Sequence, residues 1–301
     1  MLRLQEEAFM VSLYQRVPVD FQQVVQGIHL IDGDNIAPVI LGISPCRSGS
    51  TVLLRVFGAS GVPAHFQPLK NVLRWAMQDK EWEWTFPASR TPILIKETLG
   101  PYTQLEAEFN PFQIFKTIGY PLEKLQVMLV YREPLQTWSS WYKVWGEKTR
   151  FDIFVAAYRQ IETIRQQVVE AGLPVVQFVY EAVRDFGPES AIRDMFAQLK
   201  LPYISQAIMD WDQLPAFAEP GSNIFFPVEH ELFYAPYAHE RAMQASHLQY
   251  FAGAEPLPGC TPEVVTQVEA LHLNELYAFW RKENYSRIQK MADYEKTARR
   301  I

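Results

Sequence analysis

The chain has 301 residues, 48% hydrophobic and 21% charged, a balance that excludes intrinsic disorder and collagen-like structure and suits one large α/β unit. Its 28 basic and 34 acidic residues leave a net charge of −6, which argues against binding nucleic acid or an anionic membrane through the overall field but leaves a local basic site open. Two cysteines, Cys46 and Cys260, are too few for a disulfide framework. The opening MLRLQEEAFMVSLYQ carries acids where a signal peptide needs an apolar core, and no run of 18 apolar residues occurs. The expectation is a cytoplasmic protein with no membrane span.

In chain order, β-type runs fall at 37–44 (APVILGIS), 62–66, 91–96 (TPILIK), 125–131 (LQVMLVY) and 174–180 (PVVQFVY). Four of them are almost continuously apolar, as strands buried on both faces of a parallel sheet are. Helical patterns lie between them. Residues 50–59 end before Gly61, and 68–78 open on Pro68, suited to a first turn. Phe154, Ala157, Ile161, Ile164 and Val168 share one helix face, as do Ile192, Met195, Phe196 and Leu199. This alternation predicts a three-layer α/β fold, with a mainly parallel central sheet and helices on both faces. From about Tyr203 to Cys260 periodicity gives way to aromatics and to Pro215, Pro220, Pro227, Pro236, Pro256 and Pro258, the texture of a lid or of irregular packing. Thr261-Pro262 then opens a long helix with Val264, Val268 and Leu271 on one face, ending in a charged KMADYEKTARR expected to fray.

Two strand–helix junctions carry the chemistry. The first is ISPCRSGST, 43–51: the small residues Ser48, Gly49, Ser50 and Thr51 let backbone N–H groups approach an anion at a helix N-terminus, and Arg47 adds a forked cation. A nucleotide triphosphatase would show GxxxxGK[ST], whereas Gly42 and Gly49 stand seven apart with no lysine following. The second is YREPLQTWSSW, 131–141: Arg132 follows a strand, Pro134 opens a helix, and Ser140 lies eight residues beyond the arginine. An arginine in that place stands where a P-loop ATPase would use a metal-binding aspartate. Read from these residues, the site takes an anion that arrives without magnesium, and no metal is expected.

SPCRSGSTVLL resembles the 5′-phosphosulfate loop of the sulfotransferases, and YREPLQTWSSW resembles their 3′-phosphate motif. Val179-Tyr180-Glu181 followed by Pro188 is similar to a third segment of that family, and the three occur in the family's order. The resemblance implies a sulfotransferase, P-loop-like fold that uses 3′-phosphoadenosine 5′-phosphosulfate (PAPS) and releases adenosine 3′,5′-bisphosphate (PAP). Arg47, Ser48, Gly49, Ser50 and Thr51 would then hold the phosphosulfate, Arg132 and Ser140 the 3′-phosphate, and Tyr180 would lie near the adenine. The expected organisation is one domain, 1–301: a nucleotide-binding core over about 37–201, an irregular substrate or lid segment over about 202–260, and a C-terminal helix over 261–301.

Sulfuryl transfer needs cations at the leaving phosphate and, for a hydroxyl acceptor, a base. Arg47 and Lys96, at the end of TPILIK, are the expected catalytic cations; Lys96 looks like the lysine several family members place beside the transferred group. Cytosolic members usually carry a histidine two residues after it, where this chain has Thr98. His65 and Glu97 are the substitutes expected as base, with His230 and His239 as outsiders. Trp75, Trp82, Trp84, Trp138, Trp141 and Trp145 either line an apolar acceptor pocket or pack the core. The acceptor expected is a hydroxyl or amine on a small-molecule, lipid-like or carrier-bound partner. The competing expectations are a degenerate P-loop kinase or nucleotide hydrolase, and a nucleotide-binding pseudoenzyme.

Overall fold

The structure, a computed structural model, describes residues 19, 21–31, 35–229, 233, 239–253 and 255–298. The opening segment read above for a leader, together with His230 and Pro236, lies outside the described residues. In chain order the elements are α1 (Phe21–Gln26), β1 (Ile28–His29), β2 (Val39–Pro45), α2 (Ser50–Ala59), β3 (Ala64–Phe66), α3 (Pro68–Ala76), β4 (Trp84–Thr85) and β5 (Ile93–Leu99). There follow α4 (Gln104–Ala107), α5 (Pro111–Thr117), β6 (Leu125–Tyr131), α6 (Pro134–Trp145), α7 (Phe151–Glu170), β7 (Val175–Val179), α8 (Ala182–Asp185) and α9 (Pro188–Gln198). The chain continues through β8 (Ile224–Phe225), α10 (Glu240–Met243), α11 (Pro262–Ala270) and α12 (Leu273–Ala298).

Among the described residues, six strands form one parallel sheet in the order β7-β6-β2-β5-β3-β8. The apolar runs explain it: every residue of β2 and of β5 is buried, as central strands covered on both faces must be. Strand alternation splits the interior into two cores. Val39, Leu41, Ile43, Ile93 and Ile95 face α3, α5 and α7, while Ile40, Leu94, Phe66 and Met128 face α2 and α9. Steps β2→β3 and β7→β8 run one way across the sheet and put α2 and α9 on one face. The return steps β3→β5→β6→β7 put α3, α5 and α7 on the other, as right-handed crossovers require. The result is a three-layer arrangement of the Rossmann and P-loop type. The chain leaves β2 toward β3 and later crosses back past it to β6, so the carboxyl end of β2 is the switch point where open parallel sheets bind ligands.

Three expectations differ in detail. The helix opened by Pro262 is two helices, because His272 (φ 56°) turns the chain between α11 and α12. The helix starting at Pro68 ends at Ala76. The edge strand β8, and a separate parallel β1–β4 pair, are two residues each and too short for any alternation to register. No helix among the described residues is long and apolar enough to cross a membrane.

Helix α12 is anchored by Trp280, fully buried, whose ring stacks on Tyr131 at 3.8 Å and whose Nε1 donates to Glu162. Tyr158, beside Trp280, donates its hydroxyl to the Arg132 carbonyl at 2.8 Å, so this aromatic stack also fixes the end of β6. Trp280→Ala is expected to cost about 3–5 kcal/mol, the range for emptying a large aromatic site. Urea unfolding checks it, and a loss below 1 kcal/mol would contradict the anchoring role.

Candidate functional site

The turn after β2 is held by its own carbonyls. Cys46 O accepts from Trp141 Nε1 at 2.6 Å, Arg47 O accepts from Arg132 Nη1 at 3.0 Å, and Cys46 N donates to Leu99 O. Arg47 (φ 67°) and Gly49 (φ 82°) both take left-handed backbone on either side of Ser48, and alternation of this kind curls successive amides toward one centre. Gly49 has a second reason to be glycine: a Cβ there would lie 2.5 Å from the Tyr180 ring. Ser44 donates to Ser50 across the base of the loop at 2.9 Å. The Ser48 hydroxyl is buried without a hydrogen-bond partner among the described residues.

Arg132 reaches the same loop from β6. Besides Arg47 O it donates to Phe251 O at 2.9 Å, its guanidinium lies over Tyr180 and Tyr250, and its Nε is buried without a hydrogen-bond partner among the described residues. Arg47 Nε in turn donates to Ser140 Oγ on α6 at 3.1 Å. Burial, reinforced by the charge of Arg132, lowers Arg47 to about 10. Two guanidinium groups so close, one with an orphaned N–H, describe a wall that an anion would relieve.

One cavity of about 370 Å³ at the carboxyl edge of the sheet is lined by Arg47, Gly49, Ser50, Thr51, Lys96, Arg132, Ser140 and Tyr180, whereas Ser48 is buried and does not line it. Lys96 is almost wholly buried with its ammonium over the Phe66 ring, and burial, with Lys70 nearby, lowers it to about 7. The far wall holds Pro101, Tyr102, Val144 and Trp145, so Trp145 is the one tryptophan of the six that reaches the cavity. Trp138 and Trp141 are core residues that pack behind it.

His65 and Glu97 do not line this cavity. Both belong to the parity of Ile95, the face opposite Lys96 and α2, and one residue of register along a strand exchanges faces. His65 stacks on Phe225 and meets Trp84 edge-on; burial lowers it to about 4. Glu97 accepts from Leu69 N and Lys70 N and so caps α3, while burial raises it to about 7.

The carboxylate and imidazole groups that do line the cavity, Glu229, His239 and Glu240, come from the irregular segment. His239 Nδ1 shares a hydrogen bond with Thr51 Oγ1 at 3.2 Å; burial, then Lys96, Arg47 and Arg74, lower it to about 3 and keep it neutral. Glu229 pairs with Arg74 at 3.2 Å, and burial raises its pKa. Gln67, Arg74, Arg241 and Phe251–Gly253 also line the cavity. Sequence spacing gave no signal for Glu229, His239 and Arg241, since their segment has no period. Among the described residues no group of three His, Cys, Asp or Glu side chains converges as a metal site.

The depressed His65 has a consequence for folding. Its folded pKa of about 4 lies below its unfolded value of 6.5, so the stability it contributes is complete above pH 6.5 and is lost as pH falls toward 4. His65→Phe should therefore reduce the stability lost between pH 7 and pH 4.5 by roughly 2 kcal/mol, read from urea midpoints at the two pH values; an unchanged difference would refute it. Compared with known proteins, the chain matches no family model and no curated protein.

Proposed function

We propose that the chain transfers a sulfuryl group from PAPS to a hydroxyl or amine of a small-molecule, lipid-like or carrier-bound acceptor. The observation that carries this reading is the joining of two cationic stations in one cavity: the turn 45–51 with Arg47, and Arg132 with Ser140, linked through the Arg47 carbonyl and the Arg47–Ser140 hydrogen bond. A doubly phosphorylated adenosine presents anions at two ends, and each station offers forked or backbone donors to one of them. The fit is electrostatic as well, for Arg132, which lines the cavity, keeps a buried Nε without a partner among the described residues that an oxygen acceptor would satisfy.

PAPS, when bound, supplies an activated sulfuryl group: an acceptor oxygen or nitrogen bonds to sulfur, the sulfur–oxygen bond to the phosphate breaks, and PAP departs with the electron pair. Arg47 and Lys96 neutralise charge arriving on the departing phosphate. The proton released by the acceptor goes to His239, the one histidine among the described residues that lines the cavity. Burial first, and then the cations around it, make it a weak base. Bound anions offset the cationic part of that shift and raise its affinity for a proton. The apolar wall of Pro101, Tyr102, Val144 and Trp145 receives the body of the acceptor.

Calorimetry with PAP in the absence of magnesium tests the reading; micromolar binding supports it, and no binding alongside tight magnesium-ATP binding would replace it with a nucleotide kinase or hydrolase. Arg132→Ala is expected to weaken PAP by about 1.5–3 kcal/mol more than it weakens adenosine 5′-phosphosulfate, the range for a charged hydrogen bond; equal losses for both would refute the 3′-phosphate role. His239→Gln should lower turnover by roughly 10²–10⁴, whereas His65→Gln should leave it unchanged. The reverse result would return the base to β3.

A further inference from the structure

At the end of β3, Gln67 takes left-handed backbone (φ 47°, ψ 45°) at the N-cap of α3, an uncommon conformation for a residue with a long side chain. The surrounding bonds over-determine it: its N–H donates to Lys96 O at 2.7 Å and its carbonyl accepts from Asn71 N at 2.9 Å. The side chain is 6% exposed and lines the cavity beside Lys96 and Thr98.

Donor and acceptor chemistry then fixes which way its amide points. Lys70 Nζ, which can only donate, lies 3.5 Å from Thr98 Oγ1, and the Cys46 thiol lies 3.2 Å from the same oxygen. Sulfur is a poor acceptor, so the Thr98 proton goes to Gln67 Oε1 at 2.7 Å. That leaves Gln67 Nε2 as the end of the amide with no hydrogen-bond partner among the described residues, in the same cavity wall as Lys96, whose ammonium has none either. Two donors that line a cavity and lack protein acceptors describe a place for ligand oxygens.

Resting on the co-substrate reading above, we propose that Gln67 Nε2 and Lys96 Nζ together hold the oxygen atoms of the sulfuryl group being transferred, with Thr98 as the positioning residue that orients the amide. Thr98 occupies the place where the resemblance leads one to expect a histidine, and here its hydroxyl directs a donor instead of accepting a proton. A neutral amide suits a transferred group with a single negative charge better than a doubly charged phosphoryl.

The test compares the affinities of PAP and PAPS, which differ by the sulfuryl group alone, in wild type, Gln67→Ala, the isosteric Gln67→Glu and Thr98→Val, each checked by thermal melting. Gln67→Ala and Gln67→Glu are expected to cut the preference for PAPS over PAP by roughly ten- to a hundredfold, the worth of a hydrogen bond to a charged group, with PAP affinity unchanged. Thr98→Val should give a smaller loss of the same kind with kcat falling more than KM rises, and Thr98→Ser should restore it. If Gln67→Ala fails to fold, the isosteric variant and Thr98→Val carry the measurement. An unchanged preference, or parallel losses for PAP and PAPS, overturns the proposal and leaves the co-substrate reading standing. Failure of wild type to bind PAP overturns that reading instead; inorganic sulfate titrated into wild type and Gln67→Glu then decides the recess alone, equal binding by both overturning it.

Discussion

A guanidinium on a carbonyl joins the two halves of the cavity. Arg132 leaves the end of β6 and binds the backbone oxygen of Arg47 at the end of β2, and these strands are neighbours in register from Val39↔Leu125 to Ile43↔Leu129. Parallel pairing therefore delivers both arginines to the same edge. Their mutual repulsion and burial oppose assembly, as the lowered Arg47 pKa reflects. The fold offsets this with hydrogen bonds that neither arginine could make in isolation, to Ser140 and to Phe251. A cationic pair fixed in place in this way would need little reorganisation to accept an anion.

The segment 202–260 supplies much of what the sheet lacks. Phe251 N donates to Tyr180 Oη, Tyr180 Oη donates to Gln249 O, and Gly253 N donates to Gln136 Oε1. Backbone groups without a ladder must find partners, and here those partners are cavity residues, so the stretch 249–253 is laid across Arg132 and Tyr180. The same segment carries His239 to Thr51 and Glu229 to Arg74. Packing and wall-building are thus the same set of contacts.

Beneath Tyr102 and Phe233 lies a buried row of alternating charge. Arg74 binds Glu106 at 2.8 Å and Glu229 at 3.2 Å, and Lys70 lies 3.7 Å from Glu106, while Lys70 also donates to Gly100 O. Buried pairs of this kind add little net stability, since desolvation nearly cancels attraction. Their effect is positional: they tie α3, the turn 100–106 and residue 229 into one rigid floor. Arg74 is further enclosed between Tyr102 and Phe233, which fixes the shape of the aromatic wall above it.

Much of this was legible in sequence, and for identifiable reasons. The core strands announce themselves because two-sided burial demands continuous apolar runs; four of the five strands expected lie within two residues of β2, β3, β6 and β7 at both ends, and β5 runs three residues past its expected end. The two arginine junctions could be read because strand, turn and helix start are local features with fixed offsets. The base could not. His65 and Glu97 stand one residue from the parity that faces the cavity, and the rim position of a strand residue depends on where pairing stops, which its neighbours decide. Gln67, Glu229 and His239 owe their places to contacts with Thr98, Arg74 and Thr51, which lie 31, 155 and 188 residues away along the chain. Composition and periodicity set which segments become strands and helices, because burial acts on each segment separately. Only the folded chain chose the side chains that share the cavity, because that choice belongs to pairs of residues brought together by the packing of the whole.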